Sequence, residues 1–314
     1  MMAMNHVNPV VRSKNVLLGL LLVLAACKPD QSFKLPPFDG QRAYAEVEAL
    51  VQISPRDAGT PNGQRAAEHI FQRLKDYGIA AEIDTFTDQT PEGPKTMHNV
   101  IGRIPGRTGQ WIIVGSHFDT MPGIENFQGA NDGGSSTGVL LELARMLARH
   151  KPDVGIMFAF FDGEEGVAGY VQGDGLHGSR HMAAQLVQTG IDQNVKAMIL
   201  LDMVGDADLH INIPANSTAW LIKEVLEAAH ETGHRENVSV SRNSIITDDH
   251  VPFLQIGIPA IDLIDFKYGT RPGLNDLWHT PEDTLENIRA ESLEISGQIT
   301  LQLLKQLTHE GKSD

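Results

Sequence analysis

Closely spaced acidic residues end an apolar stretch near the middle of this 314-residue chain. Asp162, Glu164 and Glu165 follow directly on the run MFAFF, residues 157 to 161. Carboxylates beside a hydrophobic core repel one another and resist desolvation unless a cation or a shared proton compensates their charge. The stretch therefore predicts a chemical site, and the rest of the chain must supply the compensation.

Other candidate residues lie where apolar runs end or loops begin. His117 and Asp119 follow the run WIIVG and, being two positions apart, lie on one face of an extended chain. Asp132 lies in the glycine-rich stretch GANDGG, Asp202 ends AMILLD, and His279 belongs to LWHTPEDT. Taken singly, each has an ordinary structural explanation, such as a satisfied histidine, a helix cap or a surface acid.

Taken together, these side chains match the ligands of a catalytic zinc ion. Such an ion is bound by His nitrogen and carboxylate oxygen, keeps a position open for water or substrate, and works beside a glutamate that is not a ligand. The adjacent Glu164 and Glu165 fit this division, with one as a ligand and the other transferring protons. The pattern predicts a zinc site and leaves open whether it holds one ion or two.

The elements that must position these residues alternate between strand and helix. Strands are predicted at HNVIGRI, WIIVGSH, VGIMFAFF, AMILLDMVG and IPAIDLIDF. Helices are predicted at AEHIFQRLKDYG, GVLLELARMLARH, TAWLIKEVLEAAH and SLEISGQITLQLLKQL. Continuous apolar strands between amphipathic helices predict an α/β fold, with a mostly parallel central sheet covered by helices on both faces. Ligands of such sheets bind beyond the carboxyl ends of the strands.

The charge of the chain limits its partners. A formal net charge of -15 argues against a nucleic-acid or anionic membrane surface. The negative charge of the chain favours a cationic or uncharged substrate over an anionic one. No second linker or repeat is visible, so residues 40–314 are predicted to form one catalytic domain. The sequence leaves the oligomeric state open.

The N-terminal residues read as a targeting segment. Arg12 and Lys14 precede the short apolar run 16–26, which ends in LAAC and resembles the lipobox of bacterial lipoproteins. Residues 1–26 are the predicted signal peptide, Cys27 the lipidated residue and 27–39 a tether; the alternative is an ordinary signal peptide with an incidental cysteine. We therefore expect a lipid-anchored protein of the bacterial cell envelope, which contacts the membrane only through its anchor. The residue after Cys27 is Lys28 and not the aspartate associated with retention in the inner membrane. This favours an anchor in the outer membrane, with the protein facing the periplasm.

Six ordered motifs carry a family resemblance. HFD, GANDGG, DGEEG, GSRHMA, LDMVGD and WHTPEDT resemble the zinc-dependent M28 peptidase family from about residue 98 to 304. The resemblance implies a zinc aminopeptidase-like fold. It further implies metal ligands at Asp132, Glu165 and His279 and a general base at Glu164. His117 and Asp202 are implied as further ligands if two ions bind, and Asp119 as a residue that orients the ligands.

Within this family, three markers favour the glutaminyl cyclase branch over the aminopeptidase branch. They are DDHVPF, which begins at Asp248, the tryptophan of Trp278-His279-Thr280, and the loop GVAGYVQGDGLH, which carries Tyr170. HTPEDT is closer to the aminopeptidase form. The cyclase assignment implies conversion of the N-terminal glutamine of peptides to pyroglutamate with release of ammonia.

The implied chemistry gives each pocket residue a role. Glu164 carries the amine proton to the departing ammonia, while Asp248 and Asp202 hydrogen-bond the tetrahedral intermediate and the leaving group. Trp278 and Tyr170 wall the pocket. In the aminopeptidase alternative, Glu164 instead activates a water molecule. A catalytically silent binding domain is a remote third alternative, which the presence of Glu164 and of every ligand type disfavours.

Overall fold

The computed structural model describes residues 1–2, 37–168, 171 and 173–308. The predicted signal peptide beyond Met2, Cys27, the tether up to residue 36, and Tyr170 lie outside the described residues. The main described range begins at residue 37, and near its start the carboxylate of Asp39 accepts the backbone N–H groups of Gln41 and Arg42 and so caps the first helix. No helix within these described ranges is long and apolar enough to span a bilayer.

A six-stranded mixed sheet forms the centre of the fold. Its strands are β1 (Ala80–Thr90), β2 (Gly93–Ile104), β3 (Trp111–His117), β4 (Gly155–Phe161), β5 (Val195–Asp202) and β8 (Ala260–Ile264), arranged in the order β1-β2-β4-β3-β5-β8. Strands β4, β3, β5 and β8 are parallel, whereas β1 pairs with β2 and β2 with β4 in antiparallel fashion. Two short strands, β6 (Ile211–Ile213) and β7 (Val238–Val240), form a separate parallel pair.

Helices cover both faces of this sheet. They are α1 (Gly40–Val51), α2 (Pro61–Asp76), α3 (Gly134–Leu147), α4 (His177–Thr189), α5 (Ala219–Glu231), α6 (Val251–Gln255) and α7 (Ala290–Thr308). Helices α1, α3 and α7 contact one another, and α5 packs on α7. Met182 of α4 and Phe253 of α6 pack on a separate core cluster with Ile113 and Met157 of the sheet. The predicted fold class, a mostly parallel sheet with helices on both faces, is confirmed.

The four parallel strands are mostly apolar, with a buried aspartate, Asp262, in the middle of β8. Strand β4 is buried at every position, and β3 and β5 at all but one. Parallel sheets covered on both faces require this composition. Because β4, β3, β5 and β8 are neighbours and run the same way, the residues that follow them meet at one edge.

Candidate active site

The carboxyl ends of three neighbouring strands deliver the predicted site residues. His117 ends β3, Asp202 ends β5, and the turn after β4 carries Glu164 and Glu165. Asp132 comes from the turn before α3. All five side chains are buried. This is the edge at which ligands of parallel sheets bind.

Asp132 lies between two histidines and contacts both. His279 Nε2 lies 3.3 Å from Asp132 Oδ2 and 3.1 Å from Glu165 Oε1. On the other side, His117 Nε2 lies 3.2 Å from Asp132 Oδ1 and 3.2 Å from Asp202 Oδ1. Each ring nitrogen therefore faces two carboxylate oxygens, although it can donate only one proton.

This arrangement fits a metal ion better than a set of hydrogen bonds. Three sets of side chains offer ligand atoms that lie within 4.8 Å of one another: Asp132 with Glu165 and His279, His117 with Asp132 and Asp202, and His117 with Glu164 and Glu165. Imidazole nitrogen and carboxylate oxygen are ligands that Zn²⁺ takes in enzymes. The residues present therefore fit a zinc ion.

The same cluster displaces the pKa values of its members. Burial raises the pKa of Glu165 to about 7, and the nearby Asp132 carboxylate adds to this effect. Burial, followed by the charge of Glu165, raises the pKa of Glu164 well above its usual range. Burial lowers the pKa of His279, but contacts with the Asp132 and Glu165 carboxylates outweigh burial and raise this pKa to about 10. Clustered acids of this kind favour a bound cation or a shared proton, as the sequence predicts.

Asp119 lies directly behind the two glutamates. Its Oδ1 accepts the backbone N–H of Glu164 and its Oδ2 that of Glu165, both at 3.1 Å. Its Oδ1 also lies 3.5 Å from Nδ1 of His117. These contacts suit the orienting role predicted for Asp119, because one carboxylate constrains a ring and two adjacent backbone groups.

Asp248 belongs to a second group of buried acids beside the candidate zinc ligands. It is 3% exposed, and its Oδ1 accepts the backbone N–H of Asp249 at 2.5 Å. Burial, followed by the charges of Asp202 and Asp249, raises its pKa well above the usual range. A raised pKa favours the neutral carboxyl group, which can donate a hydrogen bond as well as accept one.

A cavity of about 330 Å³ opens onto these acids. Its lining includes Glu164, Asp202 and Asp248 on the polar side and Phe266 and Trp278 on the apolar side. The ring of Trp278 stacks on that of His279, with centroids 4.0 Å apart and planes 27° apart, and contacts Phe266 with centroids 5.0 Å apart. The predicted wall residue Trp278 thus lies at the pocket, while Tyr170, the other one, lies outside the described residues.

Two residues of the site adopt left-handed backbone angles that are uncommon outside glycine. His279 has φ of 54°, and Met203, which follows Asp202, has φ of 46°. Such angles cost about 1–3 kcal/mol and persist where the surrounding structure imposes them. The structure around His279 and Met203 therefore imposes these backbone angles.

Several residues that support the site were missed by sequence reasoning. Asn99 accepts the backbone N–H of Asp162 at 3.0 Å, and Asp162 accepts that of His98 at 2.7 Å, which fixes the turn after β4. Arg56 and Asp283 contact the turn that carries Asp132. Asp283 belongs to the recognised WHTPEDT motif, which could have singled it out, whereas no local pattern marks Arg56.

Comparison with known proteins places the chain in a family. The model of peptidase family M28 matches residues 99–304, and the chain belongs to this family. Curated relatives include the glutaminyl-peptide cyclotransferase of Drosophila melanogaster, which is 29% identical over 258 residues, covering 74% of this chain and 71% of that protein.

Solved structures give the same assignment. A glutaminyl cyclase from an Acidobacteriales bacterium is 38% identical, with a TM-score of 0.83, over 91% of this chain and 100% of that one. The glutaminyl cyclase of Porphyromonas gingivalis is 30% identical, with a TM-score of 0.77, over 86% of this chain and 99% of that one. The predicted resemblance to the M28 family and its cyclase branch is confirmed.

Proposed function

We propose that this chain is a zinc-dependent glutaminyl-peptide cyclotransferase, which converts the N-terminal glutamine of peptides to pyroglutamate with release of ammonia. The observation that carries the proposal is the buried carboxyl group of Asp248, which lines the same cavity as Glu164. Similarity to the curated and solved glutaminyl cyclases supports it.

The reaction requires one proton transfer and no water. The α-amine of the glutamine attacks its own γ-amide carbon, the five-membered ring closes, and the amide nitrogen leaves as ammonia after it takes up a proton. Glu164 lies in the cavity, and its raised pKa makes its carboxylate a stronger proton acceptor, which suits a group that takes the amine proton and passes it on. We assign the proton transfer to Glu164.

Asp132, Glu165 and His279 are the residues that would hold zinc. When bound, the ion supplies a Lewis acid for the γ-carbonyl oxygen and compensates the buried carboxylates. The chain's own residues do the remaining work. Asp248 and Asp202 face the cavity and can hydrogen-bond the reacting amide and its nitrogen as it departs, and Trp278 closes the apolar side.

An M28 aminopeptidase is the second candidate function. The observation that favours it is the cluster of His117, Asp132 and Asp202, which offers ligands for a second metal ion. In that case Glu164 would activate a water molecule instead of the substrate amine.

Incubation of the purified zinc-loaded protein with two peptides, one beginning with Gln and one with Leu, separates the candidates. We expect the Gln peptide to lose one ammonia by mass spectrometry and the Leu peptide to remain intact. Release of free leucine, without ammonia loss from the Gln peptide, contradicts the cyclase proposal. Failure of both reactions in a zinc-loaded protein supports a binding domain.

We also propose that the protein is anchored in the bacterial cell envelope through Cys27. The motif LAAC and the positively charged residues before it support this proposal. The substrates would then be peptide or protein N-termini that reach the periplasm.

A further inference from the structure

A buried arginine holds the turn that carries Asp132. Arg56 is 0% exposed. Its Nη1 donates to the backbone oxygen of Gln128 at 2.6 Å, and its Nη2 donates to those of Gly129 at 2.7 Å and Asp132 at 3.3 Å. Its Nε donates to the backbone oxygen of Phe118, just after β3. One guanidinium thus joins the turn before α3 to the strand end that delivers His117.

The partners of this guanidinium are uncharged. Besides the backbone oxygens, Arg56 Nη1 donates to the hydroxyl of Ser54 at 2.6 Å, and none of the ion pairs found among the described residues includes Arg56. Burial of the Arg56 charge is costly, and the nearby carboxylates of Asp283 and Asp119 offset part of that cost without forming an ion pair. Five hydrogen bonds restrain the position of the side chain. Three of these hydrogen bonds go to backbone oxygens of residues 128, 129 and 132, so Arg56 restrains the turn that carries Asp132.

A buried aspartate binds the same turn from its N–H side. Asp283 Oδ1 accepts the backbone N–H of Asn131 at 2.8 Å, and Oδ2 accepts that of Asp132 at 3.0 Å. The hydroxyl of Tyr268 donates to Oδ1 at 2.8 Å and fixes the carboxylate. Asp283 lies four positions after His279, so the loop that brings the second histidine also holds the Asp132 backbone.

The packing leaves this turn little room to move. A Cβ at Gly129 would lie 2.7 Å from Thr120 Cγ2 and 3.1 Å from Arg56 Nη2, and Gly129 has φ of +54°. A Cβ at Gly133, where φ is +70°, would lie 2.9 Å from the ring of His117. Glycine is required at both positions because the turn is pressed against Arg56 on one side and His117 on the other.

We propose that Arg56 and Asp283 are positioning residues for the metal centre. Arg56 binds the carbonyl groups of the Gln128–Asp132 turn, Asp283 binds its N–H groups, and together they set the Asp132 carboxylate between the two histidines. Asp132 belongs to two of the three candidate ligand sets, the one with Glu165 and His279 and the one with His117 and Asp202, so an error in its position affects both of these. Groups that orient ligands in this way typically change metal affinity by about 10- to 100-fold when replaced.

Zinc affinity, measured by competition with a chelator, tests the proposal without using substrate. The variants are Asp283→Asn and Arg56→Lys. A matched control is Asp265→Asn, because Asp265 is also 0% exposed and also accepts two backbone N–H groups, those of His210 and Lys267. We expect zinc to bind at least about tenfold more weakly to Asp283→Asn and Arg56→Lys than to the wild type, and Asp265→Asn to match the wild type.

The double variant gives a second measure. If both residues hold one turn, its loss of zinc affinity falls short of the product of the two single losses. Tyr268→Phe provides a milder change if either replacement prevents folding, because it removes only the hydroxyl that fixes Asp283. It is expected to weaken zinc binding less than Asp283→Asn does.

Thermal unfolding of the metal-free proteins separates positioning from general stability. Lowered unfolding temperatures with wild-type zinc affinity in the Asp283 and Arg56 variants would overturn the proposal, as would an equal loss of affinity in Asp265→Asn. A wild-type chain that binds no zinc overturns both this inference and the proposed function. A chain that binds zinc and hydrolyses peptides overturns only the latter.

Discussion

Glu165 donates its backbone N–H to the carboxylate of Asp119 at 3.1 Å, while its own carboxylate lies 3.1 Å from His279. Glu164 donates its N–H to the other oxygen of the same carboxylate. Both glutamates are therefore fixed through the backbone, and their side chains can take separate roles. A substitution that keeps the backbone intact tests those roles one at a time.

Glu164→Gln is expected to keep zinc and to lose about a hundredfold or more of the activity, because the amide cannot carry the proton. Glu165→Gln is expected to lose both zinc and activity, because a charged ligand is replaced by a neutral one. Metal analysis of the two purified variants, with rates on a Gln-initiated peptide, checks the assignment. Equal zinc content in both would refute it.

Asp248→Ser is expected to leave zinc bound and to lower cyclisation by at least about tenfold, the loss of one modest transition-state interaction. Serine is a small hydrogen-bonding residue, so it would serve adequately if Asp248 only shaped the turn before α6. The measurement is the rate of ammonia loss at saturating Gln-initiated peptide, with zinc content as the control. Wild-type cyclisation by the variant would remove Asp248 from the reaction.

His250 is expected to make stability fall below pH 6.5. Burial lowers its pKa to about 4, and the amide nitrogen of Asn216 lies 2.9 Å from Nε2, as suits a neutral ring. Between these pH values the unfolded chain binds a proton that the folded chain does not. The contribution of neutral His250 to the free energy of unfolding is thus complete above pH 6.5. It is lost as the pH falls to 4, and the loss amounts to about 3 kcal/mol.

Denaturant unfolding of metal-free protein at several pH values measures this effect. His250→Gln removes the titrating group, so its unfolding free energy should depend less on pH between 4 and 6.5 than that of the wild type. His230→Gln, at an exposed position on α5, is the control and should follow the wild type. Parallel pH curves for His250→Gln and the wild type would show that His250 is not the group responsible.

Cys27→Ser is expected to turn a membrane-associated protein into a soluble or unprocessed one, because the only cysteine of the chain is its predicted lipid attachment site. Cell fractionation with detection of the protein checks this, and the peptide activity of the purified catalytic domain should not change. Membrane association that survives the substitution would argue against lipidation at Cys27.

The sequence predicted the parts of the fold that follow from local pattern. Strands β3, β4, β5 and β8 are mostly apolar, and the residues at and directly after their ends meet because parallel neighbours end at one edge. Strand β1 escaped prediction because it is largely exposed and polar, and its partner β2 supplies the pairing.

The supports of the site could not be predicted because they join distant positions. Asp283 binds the backbone of Asp132 across 151 positions of the chain, and Arg56 does so across 76. Arg56 and Asp283 bind backbone groups, which every residue carries, so no side-chain pattern in the sequence predicts these contacts. Motif spacing identifies the ligands, whereas the groups that hold the ligands become visible only in the folded chain.

The buried acids of the candidate metal centre make the stability of the folded chain depend on the concentration of free metal. Glu164, Glu165 and Asp248 resist ionisation in the folded chain, and a cation that binds only this chain in its folded form shifts the equilibrium away from unfolding. At a free zinc concentration 100 times the dissociation constant, the gain is about 2.7 kcal/mol. Cells starved of zinc are therefore expected to lose the protein itself to proteases, as well as its activity.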